Sequence, residues 1–231
     1  MAEMFIPSKN SRLNKGLLVA ALIFSSWLFP PTRLIWNFVD YRVFSILNGS
    51  LANWPGAQTF WALMNYKFGH SFPSTNLALA PLAALFFCDL LKQNQGSGAK
   101  AFGCLGVIIL LIVITLFINK QVLHPFMQHV LDFTRDSPTL VVENPIRLSL
   151  VFPDLNIRDQ SHQSFPGDNS IMWISWAGFM LLYSTRPFVW IQVLAAAFLC
   201  TPRLFSGGHW LSDIIVGGGS VSLGTPGMGM N

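Results

Sequence analysis

The run Ala101–Asn119, AFGCLGVIILLIVITLFIN, decides the fold class of this chain because it carries no charged residue. A transmembrane α-helix needs about 20 consecutive, mainly apolar residues to cross the hydrocarbon core of a bilayer. This run meets that requirement without help from neighbouring segments. We therefore predict that it forms a membrane-spanning helix.

The composition of the whole chain extends this prediction. Hydrophobic residues make up 52% of the 231 residues, charged residues make up 10%, and the mean hydropathy is +0.49. A soluble domain carries about 25% charged residues, so we predict a polytopic membrane protein with one membrane-embedded domain over residues 1–231. The formal charge of +4 suits anionic lipid headgroups, whereas the scattered basic residues do not form a nucleic-acid surface.

Other uncharged runs are shorter but end in polar residues or in Trp and Tyr, as the interfacial ends of membrane helices do. Pro81 should kink one of them, which a helix bundle tolerates. The predicted fold class is thus all-α, a polytopic bundle of about six transmembrane helices. Their approximate ranges are 16–32, 71–91, 101–119, 170–185, 187–202 and 210–227.

Loop charges predict the orientation of the bundle. Lys9, Arg12 and Lys15 place the N-terminus in the cytoplasm, because cytoplasmic loops are enriched in Lys and Arg. No small-x-small cleavage site closes the first apolar run, so we expect a retained helix. Counting helices onward puts segments 120–169 and 203–213 together on the outer side, as an extracytoplasmic active-site loop. The tail 217–231, rich in Gly, Ser and Met, is a poor spanning helix.

The three cysteines do not indicate a metal or disulfide framework. Cys88, Cys104 and Cys200 lie in or beside apolar runs without metal-type spacing, so we interpret them as packing residues. We accordingly expect neither a metal nor a cofactor.

The stretch RLFSGGHWLSD, Arg203–Asp213, carries the strongest chemical pattern. If the chain is helical from Trp210, His209 and Asp213 lie four residues apart on one helix face. A carboxylate there can fix the imidazole tautomer and leave the other ring nitrogen free to attack. Arg203 offers a planar fork for phosphate oxygens. The pattern predicts phosphoryl transfer through a phosphohistidine; the alternative is a helix-start His with an unrelated Asp.

Two further clusters fall in the predicted outer loop. Arg135, followed closely by Pro138, is a candidate second phosphate clamp, or else a juxtamembrane Arg that meets lipid phosphate. The Pro-Gly turn before the fourth predicted helix is a candidate anion nest of backbone N–H groups. Its phosphate-binding residues would be Gly167, Asp168 and Asn169, and the alternative is a plain N-cap by Asp168 or Asn169.

Together these clusters resemble the type-2 phosphatidate phosphatase superfamily, a six-helix membrane family, and within it the lipid A 1-diphosphate synthase group. The resemblance covers roughly residues 128–217. The motifs that carry it are Arg-x-Ser-Pro-Thr-Leu at 135–140, Ser-Phe-Pro-Gly-Asp at 164–168, Pro-Arg-x5-His-Trp at 202–210 and Ser-Asp-Ile-Ile-Val-Gly at 212–217.

The resemblance implies a transfer of a phosphoryl group from undecaprenyl diphosphate to the 1-phosphate of lipid A. The reaction would occur at the outer, periplasmic face of the bacterial inner membrane. His209 would be the nucleophile, Asp213 its orienter, and Arg203 and Arg135 the clamps on the phosphoryl oxygens.

Three positions depart from that pattern. Pro202 replaces a Ser of the superfamily, Thr134 replaces a Lys of the group, and Asn169 replaces the His that acts as general acid. General acid catalysis is worth about 10²–10⁴-fold, so activity should favour a diphosphate, whose leaving group is a stable anion. His162 is an alternative proton donor.

The remaining histidines have a structural interpretation. His124 and His129 are five residues apart, which is the wrong spacing for one helix face, and His70 precedes the Arg135 cluster, against the family order. Two other functions stay open beside the transferase. One is a lipid phosphate or undecaprenyl-diphosphate phosphatase, and the other is a catalytically weakened, lipid-binding homologue.

Overall fold

The computed structural model describes residues 9–68, 72–130 and 132–223, and its regular structure is almost entirely helical. His70 and residues 224–231, which carried interpretations above, lie outside this range. The only sheet in the described residues is the antiparallel pair β1 (Lys67–Phe68) and β2 (Phe72–Pro73). The all-α prediction is therefore confirmed.

Twelve helices follow one another in the described part of the chain, and two π-helical turns, Asn119–Leu123 and Asp213–Gly218, interrupt the regular α-helical geometry. The helices are α1 (Lys9–Leu28), α2 (Pro30–Gly49), α3 (Pro55–Asn65), α4 (Leu79–Gln93), α5 (Gly98–Ile118), α6 (His124–His129), α7 (Pro138–Val141), α8 (Leu148–Val151), α9 (Asp168–Tyr183), α10 (Arg186–Cys200), α11 (Pro202–Phe205) and α12 (Gly219–Leu223).

Three helical stretches in the described residues are long and apolar enough to cross a membrane: Ser74–Gln93, Gly98–His129 and Arg186–Phe205. A fourth is reached if Leu17–Leu28 and Pro30–Asn53, which bend by 83° at their junction, count as one span. Pro30 and Pro31 explain the bend, because proline removes a backbone donor and clashes with the preceding turn.

The prediction of six spans is not confirmed. Helix α9 has 16 residues, about 24 Å at 1.5 Å per residue, which is less than the hydrocarbon thickness of about 30 Å. The helical segment Asp213–Leu223 is shorter still. The predicted spans at 170–185 and 210–227 thus correspond to helices that are too short to cross by length alone.

Helix α9 forms the centre of the bundle. Its side chains Trp173, Trp176, Phe179 and Met180 are fully buried, and they pack in one core with residues of α4, α5 and α10. Because other helices cover α9 on nearly all sides, its apolar side chains pack against protein and not against lipid. A helix shorter than the membrane can therefore occupy this position.

One polar link crosses this core. The amide of Gln192 in α10 accepts a hydrogen bond from Trp176 Nε1 at 2.9 Å and donates one to the carbonyl of Leu82 at 2.9 Å. It thereby joins α9, α10 and α4 inside an apolar environment, where an unpaired donor is costly.

We predict that Gln192→Leu lowers the free energy of unfolding by about 1–2 kcal/mol, because the buried indole N–H of Trp176 loses its acceptor. Thermal unfolding of the full chain in detergent should show a Tm lower by several degrees. Gln121→Leu, the same chemical change at an exposed position, is the control. Equal Tm values for the two variants would contradict this role.

Candidate active site

A glycine turn brings Arg203 and His209 to one place. Gly207 has φ +72°, and a Cβ there would lie 2.6 Å from Thr139 and 2.7 Å from Phe44, so this position requires glycine. The backbone carbonyl of Arg203 accepts hydrogen bonds from the N–H groups of Gly208 and His209 at 3.0 and 3.3 Å. The turn therefore folds the chain after α11 back on itself.

His209 is held through its Nδ1 atom. Nδ1 lies 2.7 Å from the carbonyl oxygen of Ser164, which can only accept, so Nδ1 carries the proton in the neutral ring and Nε2 keeps its lone pair. Asp213 Oδ2 lies 3.6 Å from Nδ1 and accepts the backbone N–H of Trp210 at 2.8 Å. The hydrogen bond that sets the tautomer thus comes from Ser164, while Asp213 supplies negative charge nearby.

Arg135 points toward the acidic side of this centre. Its guanidinium donates to Asp213 Oδ1 at 2.5 Å and to Ser212 Oγ at 2.7 Å, and its other terminal nitrogen donates to Asp40 Oδ2 at 2.6 Å. Asp40 also accepts the N–H and hydroxyl of Ser212. The guanidinium is shared by two buried carboxylates, and the structure does not bring it together with Arg203.

The face of His209 opposite this network opens on a cavity of about 230 Å³. Three cationic side chains, Lys67, Arg158 and Arg203, line it together with His209, and Asp168 is the one carboxylate among its lining residues. Arg203 is buried and donates a hydrogen bond to the carbonyl of Arg158. The remaining lining residues are Pro73, Asn76, Leu116, His124, Gln160, Ser161, Gln163, Pro166, Asn169, Met172 and Gly208.

The start of α9 forms the wall of this cavity beside His209. Gly167 is the N-cap residue, and no side chain caps the helix, so the N-cap interpretation of Asp168 or Asn169 is not what the structure contains. A Cβ on Gly167 would lie 3.4 Å from His209 Cε1 and 2.9 Å from Ser170 Oγ. Glycine therefore leaves room for the Ser170 hydroxyl, and the imidazole packs beside the helix start, where Asp168 and Asn169 line the cavity.

Sequence reasoning missed Lys67, Arg158 and His124 as cavity residues. Lys67 reaches the site because its backbone N–H bonds to the carbonyl of Asn156 at 2.9 Å, which sets β1 beside the segment that carries Arg158. His162, the proton donor considered above, has an 83% exposed side chain and lies 2.8 Å from Asp136. It does not line the cavity.

Burial, together with the positive charges of Arg203 and Arg158, lowers the pKa of Lys67 to about 8. The ammonium group is therefore charged below about pH 8 and loses its charge above it. An anion bound in the cavity would favour the charged form of Lys67.

A comparison with known proteins finds a relative in Escherichia coli K12, a lipid A 1-diphosphate synthase. The two sequences are 28% identical over 206 aligned residues, and the aligned region covers 89% of this chain and 81% of that protein. The two proteins are distantly related. The chain matches no protein-family model and no solved structure.

We predict that sulfate, which keeps its double charge throughout, binds this cavity less tightly as the pH rises through about 8. Loss of one charge-assisted contact is worth about 1.5–3 kcal/mol, or about tenfold or more in affinity. Calorimetric titration of the detergent-solubilised chain with sulfate, from about pH 7 to about pH 9.5, measures this. Lys67→Met should make the sulfate affinity independent of pH, and Lys67→Arg should move the loss of affinity to higher pH. A pH-independent sulfate affinity in the unaltered chain would exclude Lys67 from the anion site.

Proposed function

We propose that this chain is a membrane phosphotransferase that moves a phosphoryl group from undecaprenyl diphosphate to the 1-phosphate of lipid A through a phosphohistidine at His209. The distant relation to a lipid A 1-diphosphate synthase supports a lipid phosphotransferase or phosphatase type of function. The observation that carries the proposal is the imidazole of His209, with Nδ1 engaged, at the wall of a cavity lined by three cations.

In the first step, Nε2 of His209 attacks the terminal phosphorus of the donor. The N–P bond forms while the bond from phosphorus to the bridging oxygen breaks, and undecaprenyl phosphate leaves. Lys67, Arg158 and Arg203 neutralise the charge on the phosphoryl oxygens, which is the dominant form of help that a protein gives to phosphoryl transfer.

In the second step, an oxygen of the lipid A 1-phosphate attacks the same phosphorus. The N–P bond breaks, the diphosphate product forms, and Nε2 regains its lone pair. Between the steps the ring is cationic, and the Asp213 carboxylate, 3.6 Å from Nδ1, stabilises that charge together with the Ser164 carbonyl.

Arg135 acts through Asp213 in this mechanism. Two of its hydrogen bonds end on carboxylates, one on Asp213 and one on Asp40, so it fixes the direction of the carboxylate that faces His209. We therefore assign it the role of a positioning residue and assign the phosphate clamp to Arg203, Arg158 and Lys67. The loop charges and the substrates favour the periplasmic face of a bacterial inner membrane as the location.

We predict that membranes containing the wild-type chain, given undecaprenyl diphosphate labelled on the terminal phosphate, yield an acid-labile phosphoprotein that passes its label to added lipid A. His209→Ala should abolish the phosphoprotein because the attacking nitrogen is gone. His162→Ala is the matched control, since this imidazole is exposed and outside the cavity.

The distribution of label separates the candidate functions. Label released as free phosphate with lipid A present would favour a phosphatase instead of a transferase. Absence of any phosphoprotein from the wild-type chain would contradict the proposal and favour a lipid-binding protein.

Gly167→Ala places a methyl group 2.9 Å from Ser170 Oγ, so Ser170 must shift away from its hydrogen bond to the Gly167 carbonyl. The first turn of α9, which the ring of His209 contacts, must adjust with it. Small misplacements of reacting groups cost about 100-fold in rate. The rate of phosphoprotein formation should fall by about that factor, whereas Gly103→Ala, at a position with open space, should leave it unchanged.

A further inference from the structure

A proton donated to the leaving group would speed the proposed reaction, and the cavity limits which side chain can supply it. Asn169 has no titrating proton, and the arginines hold theirs. Lys67 is needed as a cation on the phosphoryl oxygens. Imidazole is the side chain that titrates nearest neutral pH, and among the residues that the structure describes His124 is the imidazole that lines the cavity besides the nucleophile.

A π-helical turn directs His124 into the site. The turn Asn119–Leu123 separates α5 from α6, and His124 is the first residue after it. A π turn inserts an extra residue into the helix and so rotates the side chains that follow, and such turns are frequent at functional sites. The side chain of His124 is 16% exposed, although the residues around it continue a membrane-length helix.

Asp168, at the start of α9, lies beside this imidazole. Its Oδ1 accepts a hydrogen bond from Asn119 Nδ2 at 2.7 Å and lies 4.0 Å from His124 Nε2. The neighbouring residue, Gly167, is the one that the His209 ring approaches. Both imidazoles therefore flank the first turn of α9, at the wall of a single cavity.

We propose that His124 is the general acid of the reaction, a role that rests on the proposed function and extends it. When His209 Nε2 forms its bond to phosphorus, the proton of the His124 imidazolium passes to the oxygen that leaves. In the second step the neutral His124 takes the proton of the attacking acceptor phosphate, or a proton from water where that phosphate is a dianion. It thereby returns to the imidazolium form.

Several charged groups face this imidazole. Asp168 Oδ1 lies 4.0 Å from its Nε2, and Lys67, Arg158 and Arg203 line the same cavity. Lys67 keeps its charge below about pH 8, so the test compares variants at pH 7 under saturating donor, where the cation on the phosphoryl oxygens stays in place.

The experiment measures the rate of phosphohistidine formation from undecaprenyl diphosphate at pH 7 in the detergent-solubilised full chain. His124→Gln should lower the rate by about 100-fold, the low end for general acid catalysis because the leaving phosphate is a stable anion. His129→Gln, an exposed histidine on the same short helix, should match the wild type.

A rescue variant separates catalysis from folding. Asn169→His in the His124→Gln background puts an imidazole on the same cavity wall, and it should raise the rate of phosphohistidine formation at least tenfold. An unchanged rate in His124→Gln, or a loss of rate that Asn169→His does not reverse, would overturn the role of His124 alone. Absence of phosphohistidine in the wild-type chain would overturn the proposed function itself, so the two failures are distinguishable.

Discussion

A guanidinium between two buried carboxylates is the interaction on which the reactive centre of this protein depends. Arg135 joins Asp40 of α2 to Asp213 at the start of the last helical segment, and the rings of Trp27 and Trp210 lie 5.3 and 5.5 Å from the guanidinium carbon. Removing one member of such a buried group leaves an unpaired charge at a cost of about 3–5 kcal/mol. Arg135, Asp40 and Asp213 therefore hold three distant parts of the chain in one fixed arrangement.

The pairing of Arg135 with Asp40 and Asp213 also separates negative from positive charge around His209. The carboxylates on one side of the ring are matched by Arg135, whereas the cations on the other side face the cavity with Asp168 as the one carboxylate among its lining residues. In the proposed mechanism, the imidazole at that boundary has negative charge near Nδ1, where the phosphohistidine would become cationic. It has positive charge in the cavity, where phosphoryl oxygens would lie. Electrostatic arrangement of this kind is the largest help that a protein gives to phosphoryl transfer.

The parts of the site that follow from local sequence could be predicted. The Gly207-Gly208 turn and the Pro-Gly entry into α9 are short-range features, and the structure contains both. The helix that carries Asp213 begins at Leu211, one residue later than the predicted start at Trp210. The helical character of the chain likewise follows from composition. The number of spans does not, because a buried helix such as α9 is as apolar as a spanning one while being shorter.

Other parts of the site depend on tertiary contacts and could not be predicted from the sequence. Lys67 enters the cavity through a backbone hydrogen bond to Asn156, in a part of the chain far from the motifs. His124 depends on a π turn, which helical spacing rules do not anticipate. The direction of the Arg135 side chain was set by Asp40, whose burial in α2 no local pattern indicated.

The most direct measurement is an experimental structure of the detergent-solubilised chain with bound orthovanadate, a phosphate analogue. The account predicts vanadium within bonding distance of His209 Nε2, with vanadate oxygens contacting Arg203, Arg158 and Lys67. Vanadate bonded to another side chain, or held in the cavity away from Nε2, would contradict it.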